Sequence, residues 1–138
     1  MLKPSKSLPT LALAALASAA IVAGCGGDSK PEYCDRVDDL RSSVSALTDI
    51  SINGDTLSNV ESDLQTVQSN AQAVVDAAKE DFPQETDDLE TAVNNASDSV
   101  QELPSSPSAG EIAALAVEVA NVGTSASALY DATSSACD

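Results

Sequence analysis

The 138-residue sequence contains no histidine and no tryptophan, and its aromatic side chains are limited to two tyrosines and one phenylalanine. Without histidine, the chain lacks the side chain that most often serves as a general base or as a metal ligand. The sequence also has no glycine-rich phosphate loop, no nucleophile elbow and no Cys-x-x-Cys motif. We therefore expect no catalytic residue and no cofactor, and we predict that the protein is not an enzyme.

Basic side chains are scarce over most of the chain. Lys3 and Lys6 lie within the first 24 residues, so residues 25–138 keep four basic side chains against all 22 acidic ones, a formal charge of −18. A surface of this charge repels nucleic acid and anionic lipid headgroups over a Debye length of about 8 Å. We expect no nucleic-acid partner, and any membrane attachment must come from something other than a basic patch.

Long hydrophobic runs are limited to one stretch near the N-terminus. Lys3 and Lys6 precede an apolar run over residues 11–23. Its length fits the roughly 7–15 residues of the apolar region of a secretory signal and is short of the ~20 needed to cross a bilayer. The run closes in Val22-Ala23-Gly24-Cys25. This order of features resembles the signal peptides of bacterial lipoproteins, which end in a small-residue lipobox closed by a cysteine.

The resemblance to lipoproteins implies that residues 1–24 are removed. It further implies that Cys25 becomes the first residue of the mature chain and carries a thioether-linked diacylglyceryl group with fatty acids such as palmitate. The chain would then consist of a signal peptide (1–24), a lipidated tether (25–28) and an acidic helical bundle (29–138), on the extracytoplasmic face of the bacterial cell membrane. An ordinary secretory signal with an incidental cysteine is the alternative. The helical part resembles small helical lipoproteins of actinobacterial type.

Beyond the tether, apolar residues recur at alternating spacings of three and four residues in four separate stretches. This spacing places them in one stripe along a helix. We predict helices near 30–50, 56–80, 83–103 and 108–136. Four stripes without any strand-period segment predict an all-α, up-down-up-down four-helix bundle. The stripe residues are Tyr33, Val37, Leu40, Val44, Leu47; Leu57, Val60, Leu64, Val67, Ala71, Val74, Ala78; Leu89, Val93, Ala96, Val100, Leu103; and Ile112, Leu115, Val119, Val122, Ala126, Leu129, Thr133, Ala136.

Local signals predict where these helices begin and where they are interrupted. Pro83 disfavours helical geometry at Phe82 and so separates the second helix from the third, although one long kinked helix is the alternative. Gly123 interrupts the last stripe at a cost of ~1 kcal/mol relative to alanine. It indicates either the close passage of a neighbouring backbone or a tolerated weak position. Pairs of the capping-box type are Ser29 with Glu32, Ser58 with Glu61, Asp81 with Gln84, and Ser108 with Glu111, although Asp55 could start the second helix a turn earlier than Ser58.

Two cysteines remain besides Cys25. Cys34 opens the first predicted helix and Cys137 ends the last, and in an antiparallel bundle of four helices these two points lie at the same end. A secreted chain meets an oxidising compartment, so we predict a Cys34–Cys137 disulfide. An odd number of helices would put the two cysteines at opposite ends, so the pairing and the helix count test each other. Two free thiols are the alternative.

The loop between the first two predicted helices copies half of a calcium-binding motif. Asp49, Ser51 and Asn53 match the first half of the EF-hand loop. The second half fails, because its twelfth position is Val60 and Glu61 lies one residue late, about 100° further round a helix. The sequence therefore predicts no complete metal site. The side chains that would serve a partial one are Asp49, Ser51, Asn53, Asp55 and Glu61.

Two functions are compatible with these features. The first is a lipid-anchored extracytoplasmic lipoprotein with a non-catalytic binding, adaptor or structural role at the cell envelope. Its partners would be the membrane, through the lipid on Cys25, and an envelope protein. The alternative is a lipoprotein that binds a small ligand or a divalent cation, through the loop 49–55 or through a gap left by alanine and glycine in the bundle core. A cavity of ~300 Å³ or more would favour the small-ligand version.

Overall fold

A computed structural model describes residues 30–138 of the chain. These residues form four α-helices and no strand, which confirms the predicted all-α fold with four helices. The helices are α1 (Tyr33–Asp49), α2 (Leu57–Ala78), α3 (Pro83–Glu102) and α4 (Ala109–Cys137). The predicted signal peptide, the lipidated tether with Cys25, and the capping residue Ser29 lie outside the described residues.

The helix boundaries follow the prolines. α1 begins at Tyr33, three residues later than predicted. Pro31 disfavours helical geometry at Lys30, which argues against the predicted start at residue 30. Phe82 has a φ of −132° and a ψ of 61°, outside the helical region, and Pro83 opens α3 immediately after it. The alternative of one long kinked helix is therefore wrong, and α2 and α3 are separate helices.

One of the predicted capping pairs is fully formed. The Glu111 N–H donates to Ser108 Oγ at 3.3 Å, and the Ser108 N–H donates to Glu111 Oε2 at 2.7 Å, which closes a capping box on α4. The pair led by Ser58 is wrong, because α2 already begins at Leu57 and no side chain caps it. The pair led by Asp81 is wrong too, because Phe82 is the residue that precedes α3 and it offers no polar side chain.

The predicted apolar stripes face inward and form one core. Their buried members come from all four helices, and the exceptions lie at helix ends. Ala136 is exposed, and the neighbouring Cys137 packs against the core in its place. Thr86 and Thr133 are the buried polar side chains of the described residues. The Thr86 hydroxyl donates to the carbonyls of Phe82 and Pro83, and the Thr133 hydroxyl donates to the carbonyl of Tyr130. The largest fully buried apolar side chains are Leu40, Leu47, Leu89, Leu115, Leu129, Val60, Val67, Val74 and Val122.

The four helices form a closed ring around this core. Each helix packs against the next along the chain and α1 packs against α4, whereas the diagonal pairs α1–α3 and α2–α4 make no close approach in the described part. Contacts between α1 and α4 occur in opposite sequence order: Cys34 bonds Cys137, and Thr48 lies beside Gly123. This is the contact order of antiparallel neighbours.

A disulfide joins the first helix to the last. Cys34 and Cys137 are bonded, with their Cα atoms 5.5 Å apart and 103 positions apart in sequence. At the same end, the rings of Tyr33 and Phe82 meet edge to face, with centroids 5.6 Å apart. The prediction of a Cys34–Cys137 disulfide is confirmed, and the alternative of two free thiols is wrong.

The lengths of the paired helices differ. α4 has 29 residues and α1 has 17, so at about 1.5 Å per residue α4 is some 18 Å longer. α4 is also the one described helix long and apolar enough to cross a membrane by length and composition, with a mean hydropathy of 1.4. In the bundle its stripe from Leu115 to Thr133 is buried against the other helices.

Removing the disulfide is expected to destabilise the bundle strongly. The double variant Cys34→Ala/Cys137→Ala should lose about 3–5 kcal/mol in the free energy of unfolding, since a crosslink closing a loop of ~100 residues restricts the unfolded chain by up to ~4.7 kcal/mol. Urea denaturation measures this loss. The reduced wild-type chain is the control and should match the double variant. A double variant as stable as the oxidised wild type would contradict the prediction.

The capping box on α4 gives a second stability prediction. Ser108→Ala should lower the free energy of unfolding by about 1 kcal/mol, because the N–H of Glu111 loses its acceptor. The matched control is Ser58→Ala, which alters an identical sequence pattern inside the first turn of α2, where no cap exists. Its effect should stay within about 0.5 kcal/mol, as for other surface substitutions. Equal losses in the two variants, measured by urea denaturation, would refute the assignment.

Candidate ligand groove between the first and fourth helices

A groove runs along the surface of the bundle between α1 and α4. Its deeper part has a volume of about 380 Å³, and its shallower continuation has a volume of about 530 Å³. The two parts share Arg41, Val44, Gly123 and Ser127 in their linings, so they are continuous. We call the two parts together the α1–α4 groove.

Small side chains on α4 create this space. Ala120, Gly123 and Ser127 succeed one another at spacings of three and four residues and line the groove along one side of the helix. A larger side chain at any of these positions would fill it. The floor is apolar and is formed by the buried side chains of Val37, Leu40, Val44 and Ala126. The sequence predicts a gap inside the bundle core, whereas this groove is open at the surface between two helices.

Gly123 lines both parts of the groove and lies beside Thr48 of α1. A Cβ atom added at this glycine would meet Cγ2 of Thr48 at 3.4 Å and no backbone atom within 4 Å. The neighbour is therefore a side chain, and the interpretation of Gly123 as the crossing point of a second backbone is wrong. The glycine is a weak helical position that leaves the groove open.

Arg41 and Tyr130 face each other across the deeper part of the groove. The guanidinium carbon of Arg41 lies 4.2 Å from the centroid of the Tyr130 ring, a cation–π contact. The one ion pair among residues 30–138 joins Arg36 to Glu32 at 4.0 Å, so Arg41 has no carboxylate at that distance. Asp131 lines the same part of the groove without pairing with Arg41.

The sequence analysis missed the pair of Arg41 and Tyr130, although a signal for it existed. Arg41 lies seven residues after Cys34, and Tyr130 lies seven residues before Cys137. In two antiparallel helices joined by a disulfide, residues at equal sequence distances from the two cysteines lie at the same level along the bundle axis. In the same way, Thr48 lies fourteen residues after Cys34 and Gly123 lies fourteen residues before Cys137, and the two are neighbours.

The candidate calcium ligands remain spread along the first interhelical loop. Asn53 turns its amide back on the loop: Oδ1 accepts the Asp55 N–H at 2.9 Å, and Nδ2 donates to the Ser51 carbonyl at 3.2 Å. Asp49, Asp55 and Glu61 are exposed. No group of three or more acidic or cysteine side chains comes together to hold a metal in the described part of the chain. Calcium binding stays a prediction that these contacts do not support.

Filling the weak helical position is expected to stabilise the protein. Gly123→Ala should raise the free energy of unfolding by about 0.5–1 kcal/mol, because alanine favours the helix and the added methyl only touches Thr48. Thermal unfolding followed by circular dichroism should show a Tm higher by a few degrees. The control, Gly110→Ala, adds the same methyl outside the groove, 3.9 Å from Ser108 Oγ. A loss of stability confined to Gly123→Ala would contradict the prediction.

Comparison of the chain with protein-family models, with curated proteins and with solved structures finds no match. The α1–α4 groove, the disulfide and the sequence of the N-terminal region are therefore the features that bear on function.

Proposed function

We propose that the protein is a bacterial lipoprotein, held by a lipid on Cys25 at the extracytoplasmic face of the cell membrane, with a non-catalytic binding, adaptor or structural role. The proposal is supported by the order of the cationic head, the apolar run over 11–23 and the closing Val22-Ala23-Gly24-Cys25. The scarcity of reactive side chains supports a role in binding rather than catalysis. The chain has no histidine, and residues 25–138 contain two lysines.

The observation that carries the proposal is the disulfide between Cys34 and Cys137. Structural disulfides persist in oxidising compartments outside the cytoplasm and are rare inside it. A bundle with this disulfide is expected of a protein that is exported to an oxidising compartment before it folds. The N-terminal signal and the disulfide, which are independent features of the sequence, thus favour the same compartment.

The charge of the bundle is consistent with attachment through lipid. With a formal charge of −18 on residues 25–138, anionic headgroups repel the protein, so the acyl chains must supply the membrane affinity. Residues 25–29 separate Cys25 from Lys30 by at most about 18 Å when extended. Because α1 begins at Tyr33, three residues after Lys30, the end of the bundle with the disulfide would face the membrane. A protein partner at the opposite end or along the sides is expected to be basic.

Binding of a small ligand is the second candidate function, and the α1–α4 groove favours it. Ligand sites in proteins occupy about 300–1,000 Å³ and combine apolar walls with a few polar groups. The deeper part of the groove, at about 380 Å³, lies in this range and has one cation, Arg41, beside an apolar floor. The two functions are compatible, since a lipoprotein can hold a ligand close to the membrane.

Replacing the proposed lipidation site should release the protein from the membrane. The full chain expressed in a bacterium is expected to fractionate with membranes and to show, by mass spectrometry, a mature chain starting at an acylated Cys25. Cys25→Ser should lack the acyl mass and move to the soluble extracytoplasmic or secreted fraction. The control, Cys34→Ala/Cys137→Ala, should stay with the membrane. An intact leader or an unmodified N-terminal residue in the wild type would refute the lipid anchor.

A further inference from the structure

The cations of the described bundle differ in their surroundings, and Arg41 is the one that lines the deeper part of the groove. Arg36, one turn earlier on α1, is engaged by Glu32. Arg41 instead rests on the ring of Tyr130. Contact with an aromatic face leaves the in-plane N–H groups of a guanidinium free to donate. The groove therefore offers a charged donor, already held against one wall, to whatever enters it.

The volume and floor of the groove limit the size and polarity of an occupant. At about 30 Å³ per non-hydrogen atom, the volume that a water molecule takes in the liquid, roughly a dozen atoms fit. The floor of Val37, Leu40, Val44 and Ala126 favours an alkyl or aryl body over a polar one. An occupant with about ten carbon atoms and one small polar group fills the deeper part.

Charge selects the polar group. A carboxylate matches the planar donors of Arg41, with which it can form two parallel hydrogen bonds. Asp131 lines the same space and the protein as a whole is strongly acidic, so every negative charge on the occupant is repelled and only the one that pairs with Arg41 is compensated. A cationic group would be repelled by the guanidinium of Arg41 in the same space. We propose that the α1–α4 groove binds a free monocarboxylate with an apolar body of about ten carbon atoms, an inference that rests on the small-ligand function proposed above.

The test uses the mature chain, residues 25–138, with Cys25→Ser, so that neither an acyl chain nor the apolar run over residues 11–23 competes for the probes. The probes are decanoate, decanol and decyltrimethylammonium. Two-dimensional ¹⁵N NMR follows the Gly123 amide and the Arg41 side-chain N–H. Decanoate is expected to shift both signals saturably at micromolar to low millimolar concentration. Decanol should shift the Gly123 amide at higher concentration, and decyltrimethylammonium should bind more weakly than decanoate.

Matched variants test the charge of Arg41 and the open volume of the α1–α4 groove separately. Arg41→Gln should weaken decanoate binding at least about tenfold, as expected for a lost charge-assisted hydrogen bond, and leave decanol binding unchanged. Arg36→Gln, the same change outside the groove, should leave both unchanged. Ser127→Leu should fill the groove and abolish the binding of both probes, whereas Ser69→Leu, at an exposed position of α2, should not. Circular dichroism melting verifies that each variant is folded.

Each result bears on a definite part of the proposal. If decanol binds and decanoate does not, or if Arg36→Gln weakens decanoate as much as Arg41→Gln does, the carboxylate assignment is wrong but the small-ligand function stands. Tighter binding of decyltrimethylammonium also overturns the assignment. If no probe shifts Gly123 at millimolar concentration, the small-ligand function fails as well. Shifts that depend on protein concentration alone would identify a second copy of the chain as the occupant and overturn both. The lipid anchor is decided independently by Cys25→Ser.

Discussion

The covalent bond between Cys34 and Cys137 is the constraint on which the bundle depends. It joins the start of α1 to the end of α4 and thereby closes the ring of four helices. Because α1 and α4 are antiparallel, it also sets their register. Equal counts from the two cysteines bring Arg41 to Tyr130 after seven residues and Thr48 to Gly123 after fourteen. The groove and its cation–π contact thus lie between residues that the disulfide holds at matching positions along α1 and α4.

The core explains why such a constraint is needed. Its buried side chains are mainly leucine, valine and alanine, and the aromatic contribution is confined to Tyr33 with Phe82 at the clasped end and to the partly buried Tyr130. Small side chains bury little apolar area each, and burial is the main force that drives folding. The exposed carboxylates repel one another as well. A crosslink that restricts the unfolded chain adds stability that the packing of this small core does not supply.

Much of the fold could be predicted from the sequence, because spacing alone determines which side of a helix faces the core. The buried stripes of Val37, Leu40 and Val44 or of Leu115, Val119 and Val122 needed no knowledge of their neighbours. The helix starts were predicted less well, because a Ser-x-x-Glu pattern such as that at Ser58 acts as a cap only if the helix begins there. The groove could not be predicted from composition. It depends on which small residues of α4 face α1, which is fixed only by the register between two segments far apart in sequence.

The disulfide between Cys34 and Cys137 has a mechanical consequence. Lys30 lies four positions before Cys34 and Asp138 lies one position after Cys137, so tension applied between Lys30 and Asp138 passes directly through the sulfur atoms. The helices between the cysteines carry none of that load and cannot be peeled apart by it. The bundle is in this way protected from tension along its backbone, because a covalent bond rather than side-chain packing resists the applied force.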